Sequence, residues 1–231
     1  MSKSSVYAEE LTNACQGEGC PVCRLADQSV KRSLEAMFSE FVNDYDTRQG
    51  LRQSRGLCAQ HAWQAADQHA GSPLGYAIVY KDVIEAIIEG LPRDAGSGRQ
   101  QGWRGRIQKA IKALRPSKGC PICAQTRAMQ ADILASLANE LSNPDFVTAL
   151  RVSDGLCMPH FLAALHTLKE SESFEALLLI EHEKLAALQL ELAELIRKND
   201  YRFSEEDWGA EGNSWRRAIR ILYGSNKGSR E

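Results

Sequence analysis

The apolar side chains of this chain recur at steps of three and four residues, which is the spacing of one helical face. Prolines at positions 21 and 121 stand where a first helical turn tolerates a missing N–H. No segment shows a convincing strand pattern, so the sequence predicts an all-α fold. The stripes predict long helices over about 21–41, 74–89, 103–114, 121–141 and 174–197, and short helices starting near Gly56 and Gly155.

Two blocks of the sequence occur twice. Gly-Cys-Pro-Val-Cys at 19–23 returns as Gly-Cys-Pro-Ile-Cys at 119–123, and the eleven residues 51–61 return at 150–160 with seven identical positions. Such self-similarity indicates an internally duplicated helical repeat, which we expect to pack about a pseudo-twofold axis. The predicted divisions are a first helical metal-binding repeat at 1–93, a linker at 94–102, a second repeat at 103–198 and a C-terminal closing segment at 199–231.

Each repeat contains a C-x-x-C pair and, further along, a C-x-x-H pair. Residues three apart on a helix share a face, so each pair presents two ligand atoms in one direction. Three cysteines and one histidine form a common set for structural zinc, and an iron–sulfur cluster is the alternative. The sequence therefore predicts two zinc ions per chain, each held within one repeat. The expected ligands are Cys20, Cys23, Cys58 and His61 for one ion, and Cys120, Cys123, Cys157 and His160 for the other.

Six of the seven cysteines belong to this pattern, and Cys15 does not. An odd count fits a disulfide framework poorly, and a redox C-P-x-C pair would need a βαβ context that the sequence lacks. We expect Cys15 to be a buried or incidental thiol.

Other residues near the motifs allow both a functional and a purely structural interpretation. Arg52 and Arg151 recur with the motif, and could bond to thiolates, pin a nearby carboxylate or form ordinary ion pairs. Ser54 and Ser153 are predicted to cap the C-x-x-H helices. His182 is expected to be an exposed or hydrogen-bonded histidine without a chemical role, and a further metal site or a proton shuttle is the alternative.

The C-terminal stretch is dense in aromatic residues and arginines. Ser214 is predicted to start a final helix that closes the core, although an anion or partner surface is the other reading. In that helix the expected inward residues are Trp215, Ala218, Ile219 and Leu222, and the expected outward residues are Arg216, Arg217 and Arg220.

Composition limits the possible partners. A chain that is 43% apolar and 25% charged is typical of a soluble globular protein, and its formal net charge of −2 argues against a coat for nucleic acid or anionic membrane. No apolar run could span a bilayer, and no apolar signal core begins the chain. We expect a cytoplasmic protein with an unknown protein partner, no membrane association and no nucleic acid.

The paired blocks, together with Arg-Lys-x-Asp-Tyr-Arg-Phe at 197–203 and Ser-Trp-x-Arg-Ala at 214–218, resemble an uncharacterised family of bacterial cytoplasmic proteins. The resemblance covers about residues 15–225. It implies cysteine and histidine metal ligation at the positions named above and brings no established activity.

Three hypotheses about function follow. The first is a zinc-stabilised interaction or regulatory module without catalysis, since no familiar catalytic motif is present. The second is an iron–sulfur redox or electron-transfer protein. The third is an enzyme that uses one metal as a Lewis acid, which would need a displaceable ligand and a cleft.

Overall fold

The computed structural model describes residues 7–91, 103–203 and 205–225, and every regular element in these ranges is helical. The predicted all-α fold is therefore confirmed. The α-helices are α1 Ala8–Ala14, α2 Pro21–Ser39, α3 Tyr45–Ser54, α4 Ala59–Asp67, α5 Pro73–Gly90, α6 Trp103–Leu114, α7 Pro121–Glu140, α8 Pro144–Val152, α9 Met158–Thr167, α10 Ser171–Lys198 and α11 Ser214–Tyr223. Two 3₁₀ turns, Tyr201–Phe203 and Ala210–Asn213, stand between α10 and α11.

The chain forms two compact units. The central unit is Gln28–Arg127, and the terminal unit combines Met1–Asp27 with Ala128–Glu231. The unit boundaries fall inside α2 and α7, so they do not follow the repeat boundaries expected from the sequence. The repeat boundaries stay a prediction about duplication, and the expected linker at 94–102 lies outside the described residues.

The helix order itself favours a duplication. Each C-P-x-C helix (α2, α7) is followed by a short helix (α3, α8), a C-x-x-H helix (α4, α9), a long helix (α5, α10) and a helix that starts near a Trp-Arg pair (α6, α11). This order makes α6 the counterpart of α11, although the sequence stripes placed residues 103–114 in the second repeat.

The central unit packs α5 closely against the C-terminal part of α2. Ser72 accepts a hydrogen bond from the backbone N–H of Gly75 at 3.2 Å and so caps α5, and Pro73 opens the helix. A Cβ on Gly75 would lie 2.2 Å from the carbonyl oxygen of Phe38, so only glycine permits this approach. The ring of Phe38 stacks on Tyr76 with centroids 4.1 Å apart, which closes the core of the unit.

The terminal unit is built on α10, which contacts α8 and α11. Its core draws on α1, α2, α7, α8, α9 and α10, and includes fully buried Leu11, Val22, Ile133, Leu137, Phe146, Leu150, Leu177 and Ile180. None of the described helices is both long enough and apolar enough to cross a lipid bilayer.

The C-terminal helix forms where the sequence predicts it, but its orientation differs from the expectation. Trp215, Ile219 and Leu222 are exposed, whereas Arg217 is half-buried and forms an ion pair with Glu191 of α10. Arg216 and Arg220 are exposed and Ala218 is half-buried, as expected, so the side of the helix that packs on the unit carries Arg217 and Ala218.

Candidate metal centres

The structure gathers the eight predicted ligand residues into two clusters, but it groups them differently from the expectation. The terminal cluster is Cys20, Cys23, Cys157 and His160, and the central cluster is Cys58, His61, Cys120 and Cys123. Within each cluster, one ligand atom from every residue lies within 4.8 Å of the others. Each C-x-x-C pair therefore meets the C-x-x-H pair of the other repeat, and the grouping within one repeat was wrong.

The course of α2 and α7 explains this exchange. Helix α2 has 19 residues, which separates its two ends by about 28 Å at 1.5 Å per residue. Its first seven residues belong to the terminal unit, while its remainder belongs to the central unit, where the C-x-x-H pair of its own repeat lies. The same holds in reverse for α7, so the C-x-x-C pair that α7 begins with completes the central cluster.

All four motifs take the same position at the start of a helix. In each, the carbonyl of the first cysteine accepts the first intrahelical hydrogen bond, which makes that cysteine the N-cap and the second ligand the third helical residue. The bonds are Arg24 N to Cys20 O at 3.1 Å, Ala62 N to Cys58 O at 2.9 Å, Ala124 N to Cys120 O at 3.2 Å and Phe161 N to Cys157 O at 2.8 Å. Two helix N-termini thus meet at each cluster, and their partial positive charge favours the thiolate form that binds metal.

A left-handed glycine sets the direction of each C-x-x-H helix. Gly56 has φ +92° and Gly155 has φ +79°, values that residues with a Cβ rarely adopt. The prediction that Ser54 and Ser153 cap the following helix was wrong, because the cysteines hold the N-cap positions. Instead, these serine hydroxyls donate to carbonyls of the preceding helix, Ser54 to Leu51 at 3.4 Å and Ser153 to Leu150 at 2.8 Å.

The two clusters have nearly the same dimensions. The S–S distances are 3.6 Å for Cys23–Cys157 and 3.7 Å for the equivalent Cys123–Cys58 pair. The sulfur distances to His160 Nδ1 are 3.5, 3.3 and 3.1 Å, and the matching distances to His61 Nδ1 are 3.6, 3.4 and 3.2 Å. Zn–S bonds of about 2.3 Å and Zn–N bonds of about 2.0–2.1 Å give tetrahedral edges of about 3.8 and 3.6 Å. The donor atoms therefore fit a single tetrahedral ion.

Without a cation, the terminal cluster favours one thiolate. Hydrogen bonds from Cys157 and Cys20 lower the pKa of Cys23, whereas burial and the neighbouring cysteines raise the pKa of Cys20. Burial acts to lower the pKa of His160, but contacts with Cys157 and Cys23 outweigh it and raise that pKa to about 9. A second negative charge in this cluster needs a compensating cation.

The central cluster also favours a single thiolate without a cation, and here the thiolate is Cys120. Burial acts to raise the pKa of Cys120, but backbone N–H groups of Cys58, Cys123 and Ile122 outweigh it and lower that pKa. Burial, with Cys58 and Cys120 beside it, raises the pKa of Cys123 to about 12. Burial also lowers the pKa of His61, which keeps its imidazole in the neutral, ligating form.

The two clusters differ in how far the rest of the chain shields their sulfur atoms from solvent. In the terminal cluster Cys20, Cys23 and Cys157 are all buried, the backbone N–H of Ser225 donates to Cys23, and a Cβ on Gly224 would lie 3.4 Å from the Cys23 sulfur. In the central cluster all three cysteines are half-buried, and only the histidine is fully buried. Solvent thus reaches the central sulfurs more readily.

The two recurring arginines pair with carboxylates of the long helix in their own unit. Arg52 donates to Asp82 at 2.7 Å and to Glu89 at 2.9 Å, and Arg151 lies 3.4 Å from Glu183. These contacts correspond to the ion-pair reading rather than to a bond with a thiolate. The recurrence of the arginines reflects an equivalent helix–helix contact in each unit.

The remaining sequence candidates fall outside the clusters. Cys15 is buried in the terminal core, as expected, and burial raises its pKa to about 11 despite a hydrogen bond with Ser153. His182 is exposed on α10 and belongs to neither cluster. Glu181 is a site residue that sequence reasoning missed. It is buried, and its carboxylate accepts the N–H of Leu156 at 2.7 Å, immediately before the ligand Cys157.

A cavity of about 260 Å³ borders the terminal cluster. Its wall includes Cys20 and Cys157 from the cluster, and Lys184, Glu191 and Arg217 from α10 and α11. The cavity mixes cationic and acidic groups, so its lining selects no single class of ligand.

Comparison with known proteins gives a family but no activity. No curated protein matches the chain, and no solved structure matches it. A model for a family of unknown function matches residues 2–229, which is nearly the whole sequence. The chain belongs to this family of unknown function, DUF6062.

Proposed function

We propose that this protein binds two zinc ions, one in each compact unit, and that the ions stabilise a helical interaction or regulatory module. The observation that carries the proposal is the repeated set of distances, in which four donor–donor distances of one cluster agree with their counterparts in the other within 0.1 Å. Each cluster combines one C-x-x-C pair with one C-x-x-H pair, and the two combinations have the same geometry. This agreement supports the same kind of bound ion in both clusters.

The charge of the clusters supports a divalent cation. Three crowded cysteines cannot all ionise without compensation, because burial and mutual repulsion raise the pKa of Cys20 and Cys123. A zinc ion supplies two positive charges to three thiolates, and the two helix N-termini at each cluster supply part of the rest. Ligation of this kind requires reduced thiols, which supports a reducing compartment such as the cytoplasm.

The distances also favour one ion over an iron–sulfur cluster. A cluster distributes its four protein ligands over two or more irons, so at least some ligand atoms stand farther apart than the edge of one tetrahedron. Here every donor atom of a cluster lies within 4.8 Å of the others. Four protein ligands around one ion leave no open position, which supports a structural role rather than catalysis.

The test is the metal content of chain purified without oxygen and then dialysed against a mild chelator. We expect close to two zinc ions per chain and little iron. Two double variants test the grouping of ligands. Cys20→Ser with Cys157→Ser leaves the central cluster complete and should retain one zinc, whereas Cys20→Ser with Cys58→Ser damages both clusters and should retain none.

Two results would contradict the proposal. Iron with visible absorbance in the freshly purified chain would favour a redox cofactor. A folded chain that contains no metal would show that the protein does not bind the two ions. If Cys20→Ser with Cys58→Ser kept one zinc while the other double variant kept none, the ligands would be grouped within each repeat.

A further inference from the structure

The residues around α6 form the most basic part of the chain. From 95 to 131 the sequence contains eight lysines and arginines and no acidic residue: Arg99, Arg104, Arg106, Lys109, Lys112, Arg115, Lys118 and Arg127. The formal net charge of the whole chain is nevertheless −2, because the remainder of the chain is acidic. Net charge therefore predicts no anionic partner, although local charge favours one.

Helix α6 also exposes an apolar stripe. Trp103, Ile107, Ile111 and Leu114 follow one another at steps of four, four and three residues, which places them on one face. Their exposed fractions are 68%, 43%, 39% and 49%. No side chain of α6 is fully buried, so this helix contributes little to the core of the central unit.

The helix is held to its unit by its alanine side. Ala113 lies against Gly90 of α5, and its carbonyl accepts a hydrogen bond from the guanidinium of Arg55. Ala110 and Ala113 are the only half-buried residues of α6. The contact with the unit thus leaves the stripe, Arg104 and Arg115 exposed to another surface.

We propose that α6 is a peripheral membrane-binding element that docks on an anionic lipid surface. A basic helix with low overall hydrophobicity and an apolar face led by tryptophan lies in the plane of the interface, with its apolar side chains below the headgroups. Trp103 places an amphipathic ring at the headgroup level, and Arg104 and Arg115, which flank the apolar stripe, lie within reach of lipid phosphates.

Other occupants fit these residues less well. A nucleic acid would satisfy the cations, but its phosphate backbone offers nothing that would bury Ile107 and Ile111. A second copy of the chain would bring two strongly cationic helices together, which costs electrostatic free energy. An anionic bilayer supplies an apolar layer and negative charge side by side.

Helix α11 provides a matched control. It presents a similar stripe, with Trp215, Ile219 and Leu222 exposed, but carboxylates of the terminal unit pair with two of its three arginines. Arg217 pairs with Glu191, and Arg220 lies 2.9 Å from Glu18. The proposal therefore assigns binding to α6 and none to α11.

The test is co-sedimentation of the zinc-loaded full chain with lipid vesicles. Vesicles of phosphatidylcholine with about one-third phosphatidylserine should pull down the protein, and pure phosphatidylcholine should not. Arg104→Gln with Arg115→Gln should lower the partition coefficient about 25-fold, since each cation near an anionic surface contributes about fivefold. Ile107→Ser with Ile111→Ser, which keeps every charge, should lower it at least about tenfold.

The control variant is Ile219→Ser with Leu222→Ser in α11, which should change binding by less than about twofold. Zinc content and helical circular dichroism of every variant should equal those of the parent, which separates lost binding from lost folding. Equal binding to both kinds of vesicle, no binding to either, or an equal loss in the α11 variant would overturn the proposal. Binding to RNA that survives the Ile107→Ser and Ile111→Ser changes, without binding to vesicles, would identify a nucleic-acid element instead.

Discussion

The terminal and central clusters have the same donor atoms and the same edges, but the chain covers them differently. Cys157 is 1% exposed and lies beneath Gly224 at the end of α11, whereas its counterpart Cys58 is half-buried. The comparison separates two properties of a metal site. The helix N-termini fix its geometry, and the surrounding segments determine how readily solvent and competing ligands reach it.

The largest difference between the clusters should appear when one cysteine is removed from each. Cys157→Ser should lower the free energy of unfolding of the terminal unit by more than about 5 kcal/mol, because a structural zinc site contributes about 10–16 kcal/mol and water cannot easily replace the buried ligand. Cys58→Ser should cost less, because water can reach the central ion. Hydrogen exchange resolved along the sequence would report each unit separately, and equal losses of protection would show that the cover has no effect.

The ion pairs between the short and long helices provide the next comparison. Asp82 is buried and accepts from two arginines, at 3.2 Å from Arg48 and 2.7 Å from Arg52, whereas Glu183 is about half exposed and pairs with Arg151 alone. Asp82→Ala should lower the free energy of unfolding by about 2–3 kcal/mol, because it removes the buried carboxylate from Arg48 and leaves Arg52 with only the exposed Glu89.

Glu183→Ala is the matched control and should cost below about 1 kcal/mol, as exposed pairs do. Urea denaturation of the zinc-loaded variants measures both changes. A loss from Glu183→Ala as large as that from Asp82→Ala would mean that the two contacts are energetically equivalent despite their different burial.

Glu181 makes the terminal unit sensitive to pH. Burial raises the pKa of its carboxyl to about 7, against an ordinary value of 4.5, although the N–H of Leu156 and the charge of Lys184 act in the opposite direction. Because the folded state then binds the proton more tightly than the unfolded state, stability is full below pH 4.5 and falls as the pH rises towards 7. Glu181→Gln removes this loss.

The stability advantage of Glu181→Gln over the parent should therefore grow by about 2 kcal/mol between pH 5 and pH 8. Both proteins keep the same eight ligands, so pH effects on zinc cancel in the difference. Urea denaturation across that range measures it. A difference that does not change with pH would show that Glu181 keeps an ordinary pKa.

Sequence periodicity predicted the long helices well because each carries apolar side chains at helical spacing. Helix α6 is observed over Trp103–Leu114 and α5 over Pro73–Gly90, close to the expected ranges. Helix α3 was missed, since its ten polar-rich residues bury only Leu51 and Ser54 and show no stripe. The signal that could have found α3 is its N-cap, Asp44, which accepts the N–H of Thr47 at 2.8 Å.

The motifs predicted the eight residues that form the two clusters, but not which C-x-x-C pair would join which C-x-x-H pair. Spacing of three residues fixes each ligand pair locally, and both cysteine pairs are chemically equal partners for either C-x-x-H pair. The choice depends on where α2 and α7 pass from one unit to the other, which local pattern does not encode. The orientation of α11 was wrong for a related reason, because the partner of Arg217 lies 26 residues away in α10.

The smallest expected effect tests whether cover alone distinguishes the clusters. Gly224 has φ +82°, and a Cβ there would lie 3.4 Å from the Cys23 sulfur and 3.5 Å from the Cys157 sulfur. Gly224→Ala should therefore lower stability by about 1 kcal/mol through backbone strain and displace the segment over the terminal cluster. Zinc release to a chromophoric chelator should then become faster from the terminal cluster and stay unchanged at the central one.

Gly50→Ala, at a helical position with nothing within 4 Å of the added Cβ, is the control and should alter neither rate. Unchanged release from the Gly224→Ala protein would show that the inertness of the terminal cluster arises from its buried ligands and not from the segment above them.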